Sequence, residues 1–330
     1  MNVYKIYLCF LLIGLVSACK MTEDDILTVE LKGVVIDSKN IPLMRFPYRI
    51  ELSDDKLVLL DLVSSDYCYH LLKYPDLSYL HSFGMKGNGP DEIILPTPFQ
   101  LYDGDCYFLD GANSNLYSYS LEEPFVCMDH RSLGEGRTLD FVVLNDTCVL
   151  VEDFLGKNRI KIKSPTKEQG LFVIPHTNVD INNDAELAYL WRSFMAYNDT
   201  LQKVVLATQF GDALEIYKLK DKSSKIVLGK GGAPITGSKQ IEGFHDVKWI
   251  NDNIYALFSG RIREQMILDK QNGKKVPTGG NVIKVYNADG ILLKQYKLDT
   301  YINGFTYDKA NNRMIGICSN QDSPIVYFEL

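Results

Sequence analysis

Leu101-Tyr-Asp-Gly-Asp-Cys-Tyr-Phe-Leu-Asp110 is a short run of strand-forming residues, an Asp-Gly turn, and a second run ending on aspartate. Two such runs joined by Asp-Gly are the signature of a β-hairpin. Downstream, Leu116–Ser120 and Phe125–Met128 supply a second hairpin. Upstream lies a glycine-rich stretch, Ser82-Phe-Gly-Met-Lys-Gly-Asn-Gly-Pro-Asp-Glu92. The unit is therefore a linker followed by four short strands.

The unit recurs. Leu52–Asp61 and Val143–Glu152 align with it directly, and so does Trp249–Phe258. Ala196–Leu201, leading to Val204–Ala207, and Thr306–Ile317 align with enlarged turns. Aspartates recur at the turns (Asp54, Asp103, Asp146, Asp199, Asp252 and Asp308) because their carboxylates hydrogen-bond to nearby backbone. Four strands every 40 to 58 residues, six times over, predict a radial array rather than a sandwich. No segment carries a helical period beyond one or two turns. The expected fold is all-β, a six-bladed β-propeller. Its last copy supplies about three strands, and the otherwise unpaired segment Thr28–Ile36 is expected to close that blade, removing exposed edges.

Residues 1–18 form a separate object. Lys5 precedes an apolar run, Ile6–Val16, that is too short to span a bilayer. Val16-Ser17-Ala18-Cys19 resembles the lipobox of bacterial lipoproteins, which implies that Cys19 is lipidated and becomes the mature N-terminus. Acyl chains would then anchor the protein at about 0.8 kcal/mol per buried methylene. Residues 19–26 read as the lipidated cysteine and a polar tether, and residues 27–330 as the propeller. The acidic cluster Glu23-Asp24-Asp25 resembles export signals of surface lipoproteins in the Bacteroides group. The address implied is the cell envelope, as an outer-membrane lipoprotein facing the periplasm or the surface.

Phe83-Gly-Met-Lys-Gly-Asn-Gly-Pro-Asp-Glu92, with Asp110 and Asn113-Ser-Asn-Leu-Tyr117, resembles the TolB-like six-bladed propeller lipoproteins of Bacteroides-type bacteria. The resemblance runs from about Leu27 to Leu330, and it implies an interaction platform. The signatures of WD-repeat proteins and the Asp-boxes of sialidases are missing.

The 330-residue chain carries a net charge of −7 and no lysine/arginine block, which argues against a nucleic-acid partner. Of the seven cysteines, Cys9 and Cys19 belong to the leader. The remaining five match no metal spacing. Cys106 and Cys148 occupy equivalent repeat positions and are expected to be buried free thiols, while a Cys68–Cys127 bridge stays open. Trp191 and Trp249 are expected in the core.

Linkers and the loops between second and third strands share one face of a propeller. The stretch Val227–Asp246 is a degenerate twin of the glycine-rich linker, three blades away. Lys86, Asn88, Glu92 and Lys230 are thus expected around one channel mouth, where loop amides can bind anions. Turning between blades accounts for the same glycines structurally. A nucleotide P-loop is excluded by the missing Gly-Lys-Ser/Thr ending. Asn113 joins that face, as does the basic excursion 261–275 with Arg261 and Arg263, a candidate contact surface. The histidines (His70, His81, His130, His176, His245) show no ligand spacing, so no metal and no cofactor is expected. His245 and Asp246 begin an inner strand and are candidates for binding. No nucleophile elbow occurs, and no catalytic residue is assigned. The sequence supports a membrane-anchored, non-catalytic platform for a cell-envelope protein or glycan, touching membrane only through its anchor. The alternative is a hydrolase or lyase at the channel mouth, possibly metal-dependent, since fold alone does not decide.

Overall fold

A computed structural model describes residues 26–37, 41–89, 91–134, 138–154, 158–175, 181 and 183–330. The signal segment, Cys19, His176 and all of the tether but Ile26 lie outside them. The chain opens with β1 (Thr28–Leu31) and β2 (Val34–Val35). Blade 1 follows as β3 (Pro47–Ser53), β4 (Lys56–Asp61), β5 (Tyr67–Lys73) and β6 (Ser78–Met85). Blade 2 is β7 (Pro96–Tyr102), β8 (Asp105–Asp110), β9 (Asn115–Ser120) and β10 (Cys127–Ser132). Blade 3 is β11 (Phe141–Asn145), β12 (Cys148–Glu152), β13 (Asn158–Lys163) and β14 (Glu168–Val173). Helix α1 (Asp184–Leu190) then leads into blade 4, made of β15 (Ser193–Asn198), β16 (Lys203–Thr208), β17 (Ala213–Lys218) and β18 (Ser223–Leu228). Blade 5 is β19 (Phe244–Ile250), β20 (Asn253–Phe258), β21 (Gly280–Tyr286) and β22 (Leu292–Ile302), with helix α2 (Arg263–Gln271) between its second and third strands. Blade 6 ends the chain with β23 (Gly304–Asp308), β24 (Arg313–Ile317) and β25 (Ile325–Glu329).

Within each blade successive strands pair antiparallel, so the first strand lies innermost and the fourth outermost. Three turn aspartates serve through backbone conformation rather than through the expected carboxylate-to-backbone bonds: Asp54, Asp103 and Asp252 take positive φ (51°, 49° and 60°), a region that aspartate tolerates better than most residues. Asp308 departs from the pattern. It is buried, and its carboxylate accepts from Asn311, Arg313 and, across the ring closure, the Tyr74 hydroxyl.

The second strand of each blade is buried on both faces, and its side chains alternate between the two neighbouring interfaces. In β4, Leu57 and Leu59 pack toward blade 6 while Val58 and Leu60 pack toward blade 2. In β16, Val204 and Leu206 face blade 3 while Val205 and Ala207 face blade 5. Among the described residues this yields one apolar cluster at each of the six blade interfaces. Cys106 points into the interface of blades 1 and 2, which explains an apolar sulfur there.

Closure uses the N-terminal segment in a divided form. β2 pairs antiparallel with β25 and supplies the missing outer strand of blade 6. β1 instead pairs parallel with β22 and adds a fifth strand to blade 5. Gly33 sits at the crossing, where its N–H donates to Asp299 (2.9 Å) and a Cβ would meet the Val326 side chain at 2.6 Å.

All five described cysteines are free thiols. Cys68 is buried and Cys127 exposed, so the bridge left open by the sequence does not form. Cys148 is half-buried rather than buried. Trp191 is core, whereas Trp249 is half-buried and lines the central channel.

Candidate functional site

The six innermost strands are sheet edges, so one flank of each carries backbone groups that lack a ladder partner. Side chains of neighbouring blades satisfy them. Glu51 Oε2 accepts the Leu101 N–H (3.2 Å), and Gln100 Oε1 accepts the Val143 N–H (2.7 Å). Asp140 Oδ2 accepts the Met195 N–H (2.9 Å), and the Trp249 indole donates to Ala196 O (3.3 Å). Asp246 Oδ2 accepts the Phe305 N–H (3.0 Å), and Thr306 Oγ1 accepts the Leu52 N–H (3.2 Å). Every junction of the ring is thus clasped at least once from inside the channel.

Arg49 divides that channel. Its guanidinium carbon lies 4.3 Å from the ring centres of both Tyr48 and Phe194, and Nη1 donates to Asn303 O (2.8 Å). Nε stands 3.7 Å from Asp246 Oδ1. Nearby, burial pushes the Asp140 carboxyl up to about 7, against the opposing pull of the Met195 N–H and Arg49. On the hairpin-turn side of Arg49 lies a polar chamber of about 350 Å³, walled by the inner strands and holding the Glu51–Lys248 ion pair.

On the linker side lies a second chamber of about 450 Å³. Its described wall is mainly apolar and aromatic: Tyr48, Phe194, Phe154, Tyr189, Leu95 and Leu139. Helix α1 brings Tyr189 there. Asn183 caps its start by accepting the Ala185 N–H, Leu187 and Ala188 pack against Trp191 and Ala213, and Leu190 is buried as well. Arg192 follows at the rim, with its guanidinium carbon 4.4 Å from the Tyr189 ring centre and 4.3 Å from that of Phe210.

The residues singled out from sequence mostly lie elsewhere. The Lys86 ammonium donates to Ile94 O, and its backbone N–H to Asp66 O, so it ties the linker to itself and to blade 1. Glu92 folds back to accept the Gly89 N–H (2.7 Å), and a Cβ on Gly87 would lie 1.9 Å from its Oε2. Asn88 is exposed beside them, and the exposed Asn113 amide donates to Asp110 (3.1 Å). In the twin linker, Asp212 fills the corresponding place: Gly231 N–H points to its carboxylate at 3.4 Å, and Lys284 pairs with it at 2.7 Å. Lys230 is exposed on that linker. Each loop therefore turns glycine amides toward one of the protein's own carboxylates. Neither linker lysine is among the described residues lining the two chambers.

His245 is half-buried, with Nε2 3.7 Å from Glu242 Oε1. Burial would raise the Glu242 carboxyl, but His245, Ser259 and Arg261 outweigh it and pull it down to about 2. Arg261 is spent on Glu242 and on the carbonyls of Pro277 and Gly279. Arg263 is exposed in the first turn of α2, which buries no residue. Within the excursion Lys274 pairs with Asp269, and Lys275 donates to Asn320 O. Asp246 alone of the nine lines the channel. Among the described residues no three His, Cys, Asp or Glu side chains gather at metal-binding distance, and no helix is long and apolar enough to cross a membrane.

Arg49, Asp140 and Arg192 escaped the sequence reading. A weak signal existed for one recurring group. Asp61 and Asp110 end the second strand in two aligned copies, and each accepts backbone N–H groups of the linker preceding its own blade (Arg45 and Phe46; Ile94 and Leu95).

The model of a family described as TolB-like 6-blade propeller-like matches residues 28–310. No curated protein sequence matches the chain. Solved structures that share its architecture include two from Bacteroides. One is a "Putative exported protein" from Bacteroides fragilis NCTC 9343, with 13% identity, coverage of 94% of this chain and 96% of that one, and a TM-score of 0.58. The other is a member of the DUF4221 family from Bacteroides vulgatus ATCC 8482, with 10% identity, coverage of 92% and 96%, and a TM-score of 0.59. A calcium-binding protein, regucalcin, from Agrobacterium tumefaciens strain C58 is similar at 9% identity, coverage of 92% and 95%, and a TM-score of 0.54. At these identities the likeness is one of fold.

Proposed function

The chain belongs to the TolB-like six-bladed propeller family, and on that premise we propose that it is an exported, envelope-anchored binding module. Its linker face takes a protein or glycan partner, and Cys19 carries the lipid that holds it at the outer membrane. One observation carries the reading: the linker-side chamber is an aromatic-walled recess of about 450 Å³, and its wall includes Tyr48 and Phe194, the rings that hold Arg49. Recesses of that volume with an apolar wall and few polar groups are the usual form of a binding site. The exported-protein neighbour supports the address. A hydrolase or lyase needs an acid–base group free to act on substrate. Burial pushes the Asp140 carboxyl up to about 7, but its two oxygens accept the Phe141 and Met195 N–H groups. Binding is the better reading.

Partner capture with the full chain extracted from native membranes tests it. Enrichment of a defined protein or glycan that is lost with Tyr189→Asp on the linker face is the expected result. Capture that ignores this substitution, or enriches nothing, refutes the reading. Metabolic labelling with a fatty acid, lost in Cys19→Ala, checks the anchor.

A further inference from the structure

Arg192 has a setting that the protein's other packed arginines do not share. Arg49, Arg159, Arg261 and Arg313 each lie against a carboxylate: Asp246, Glu152 with Glu215, Glu242, and Asp308. Among the described residues Arg192 has no carboxylate partner and no side-chain hydrogen bond, and its Nε is buried without an acceptor. Its position is nonetheless fixed. The backbone N–H donates to Tyr189 O and the carbonyl accepts the Gln209 N–H (2.9 Å), pinning the residue between α1 and the loop after β16. The Tyr189 and Phe210 rings, their centres 6.4 Å apart and their planes tilted by 58°, flank the guanidinium from adjacent sides and supply it with aromatic rather than carboxylate contacts. It is the one charged side chain among the described residues lining the linker-side chamber.

We infer that this chamber takes a small monocarboxylate with an aromatic or alicyclic body, its carboxylate paired with the Arg192 guanidinium. The inference rests on the linker face being a binding face, and it adds the chemical class. Three features select that class. The wall offers stacking partners in Tyr48, Phe154, Tyr189 and Phe194, which suit a flat or ring-shaped apolar body. A planar fork matches a planar carboxylate with two parallel hydrogen bonds. The single cation among the described lining residues balances one negative charge, whereas a phosphate dianion would bring a second, unpaired charge against a largely apolar wall.

Two probes of the same shape test this: 2-naphthoate and its neutral counterpart 2-naphthalenemethanol. Affinities are measured calorimetrically with the full chain in lipid nanodiscs, with empty nanodiscs as the blank. The expected result is that 2-naphthoate binds at least about tenfold more tightly than the alcohol. Arg192→Gln abolishes that preference by lowering naphthoate to the level of the alcohol, and Arg192→Lys retains part of it. Leu139→Trp, which narrows the recess, weakens binding of both. Unchanged thermal unfolding of the variants shows that the fold is intact. Equal affinity of the two probes, or undiminished naphthoate binding in Arg192→Gln, overturns the carboxylate assignment while leaving a binding recess. Failure of both probes to bind overturns the small-ligand inference, and partner capture then decides the platform reading independently.

Discussion

Replacing Arg159 with methionine tests the buried charge cluster that joins blades 3 and 4. Arg159 is 2% exposed, and it donates to Glu215, to Glu152, to Trp191 O and to Ser193 Oγ, with its shortest contacts at 2.7 Å. Methionine fills a similar volume but leaves Glu152 and Glu215, both buried, without their cation. Removing one partner of a buried ionic group costs about 3–5 kcal/mol. At about 2 °C per kcal/mol for a protein of this size, the melting temperature of Arg159→Met falls by about 6–10 °C at pH 8. The pH dependence is a second signature. Burial pushes the Glu152 carboxyl up to about 7 even with Arg159 pulling it down. A carboxyl with a raised folded-state pKa binds its proton more tightly when folded, so stability is lost as pH rises from the unfolded value near 4.5 through about 7. Without Arg159 the upward shift grows, so the deficit is largest at pH 8 and shrinks toward pH 5, where the carboxyls take up protons. Adding Glu152→Gln and Glu215→Gln restores much of the loss. The assay is thermal and urea unfolding across pH 5–8. A deficit below about 1 kcal/mol at pH 8, or one independent of pH, refutes the argument.

Three further outcomes follow from the same structure. Asp140→Asn flattens the stability profile between about pH 4 and pH 7, because the raised Asp140 pKa makes the wild type lose stability as pH rises through that window; pH-dependent urea midpoints check it. Gln100→Leu leaves the Val143 N–H without its acceptor at the junction of blades 2 and 3 and costs about 1–2 kcal/mol by chemical denaturation. Gly243→Ala destabilises by about 1–3 kcal/mol, since the added Cβ would meet Thr208 O at 2.4 Å and Gly211 O at 2.7 Å, backbone atoms that have little room to shift.

The fold was legible because its grammar is local. Leu101–Asp110 and its copies carry turn aspartates and doubly buried second strands within ten residues, and the count of copies gives the blades. Even the closure could be anticipated, since blade 6 lacked an outer strand while Thr28–Ile36 lacked a partner. Its division between β22 and β25 could not, because nothing in those residues states which of two edges each half meets. The candidate site was less legible for the same reason. Glycines and lysines near 86 and 230 suggest an anion site, but their loops already hold Glu92 and Asp212, the latter supplied from a different loop. Tyr48 and Phe194, which bracket Arg49, lie far apart in sequence, as do the partners in the channel clasps. Arg192 looks like any arginine following a short apolar run. Its meaning comes from rings at 189 and 210 and from the missing carboxylate, a property of the assembled ring.

The divided seam gives the molecule a mechanical polarity. Among the described elements, a force applied from the N-terminal side reaches β1 first, and β1 meets it through four residue pairs with β22 and the Gly33–Asp299 bond beyond. That load enters blade 5 and is passed on to blade 6 through β2, so the first parts to yield lie on the outer rim. The inner strands, clasped at each junction around the channel, stand last in the series. A pull transmitted from a surface would peel the rim before it distorted either chamber.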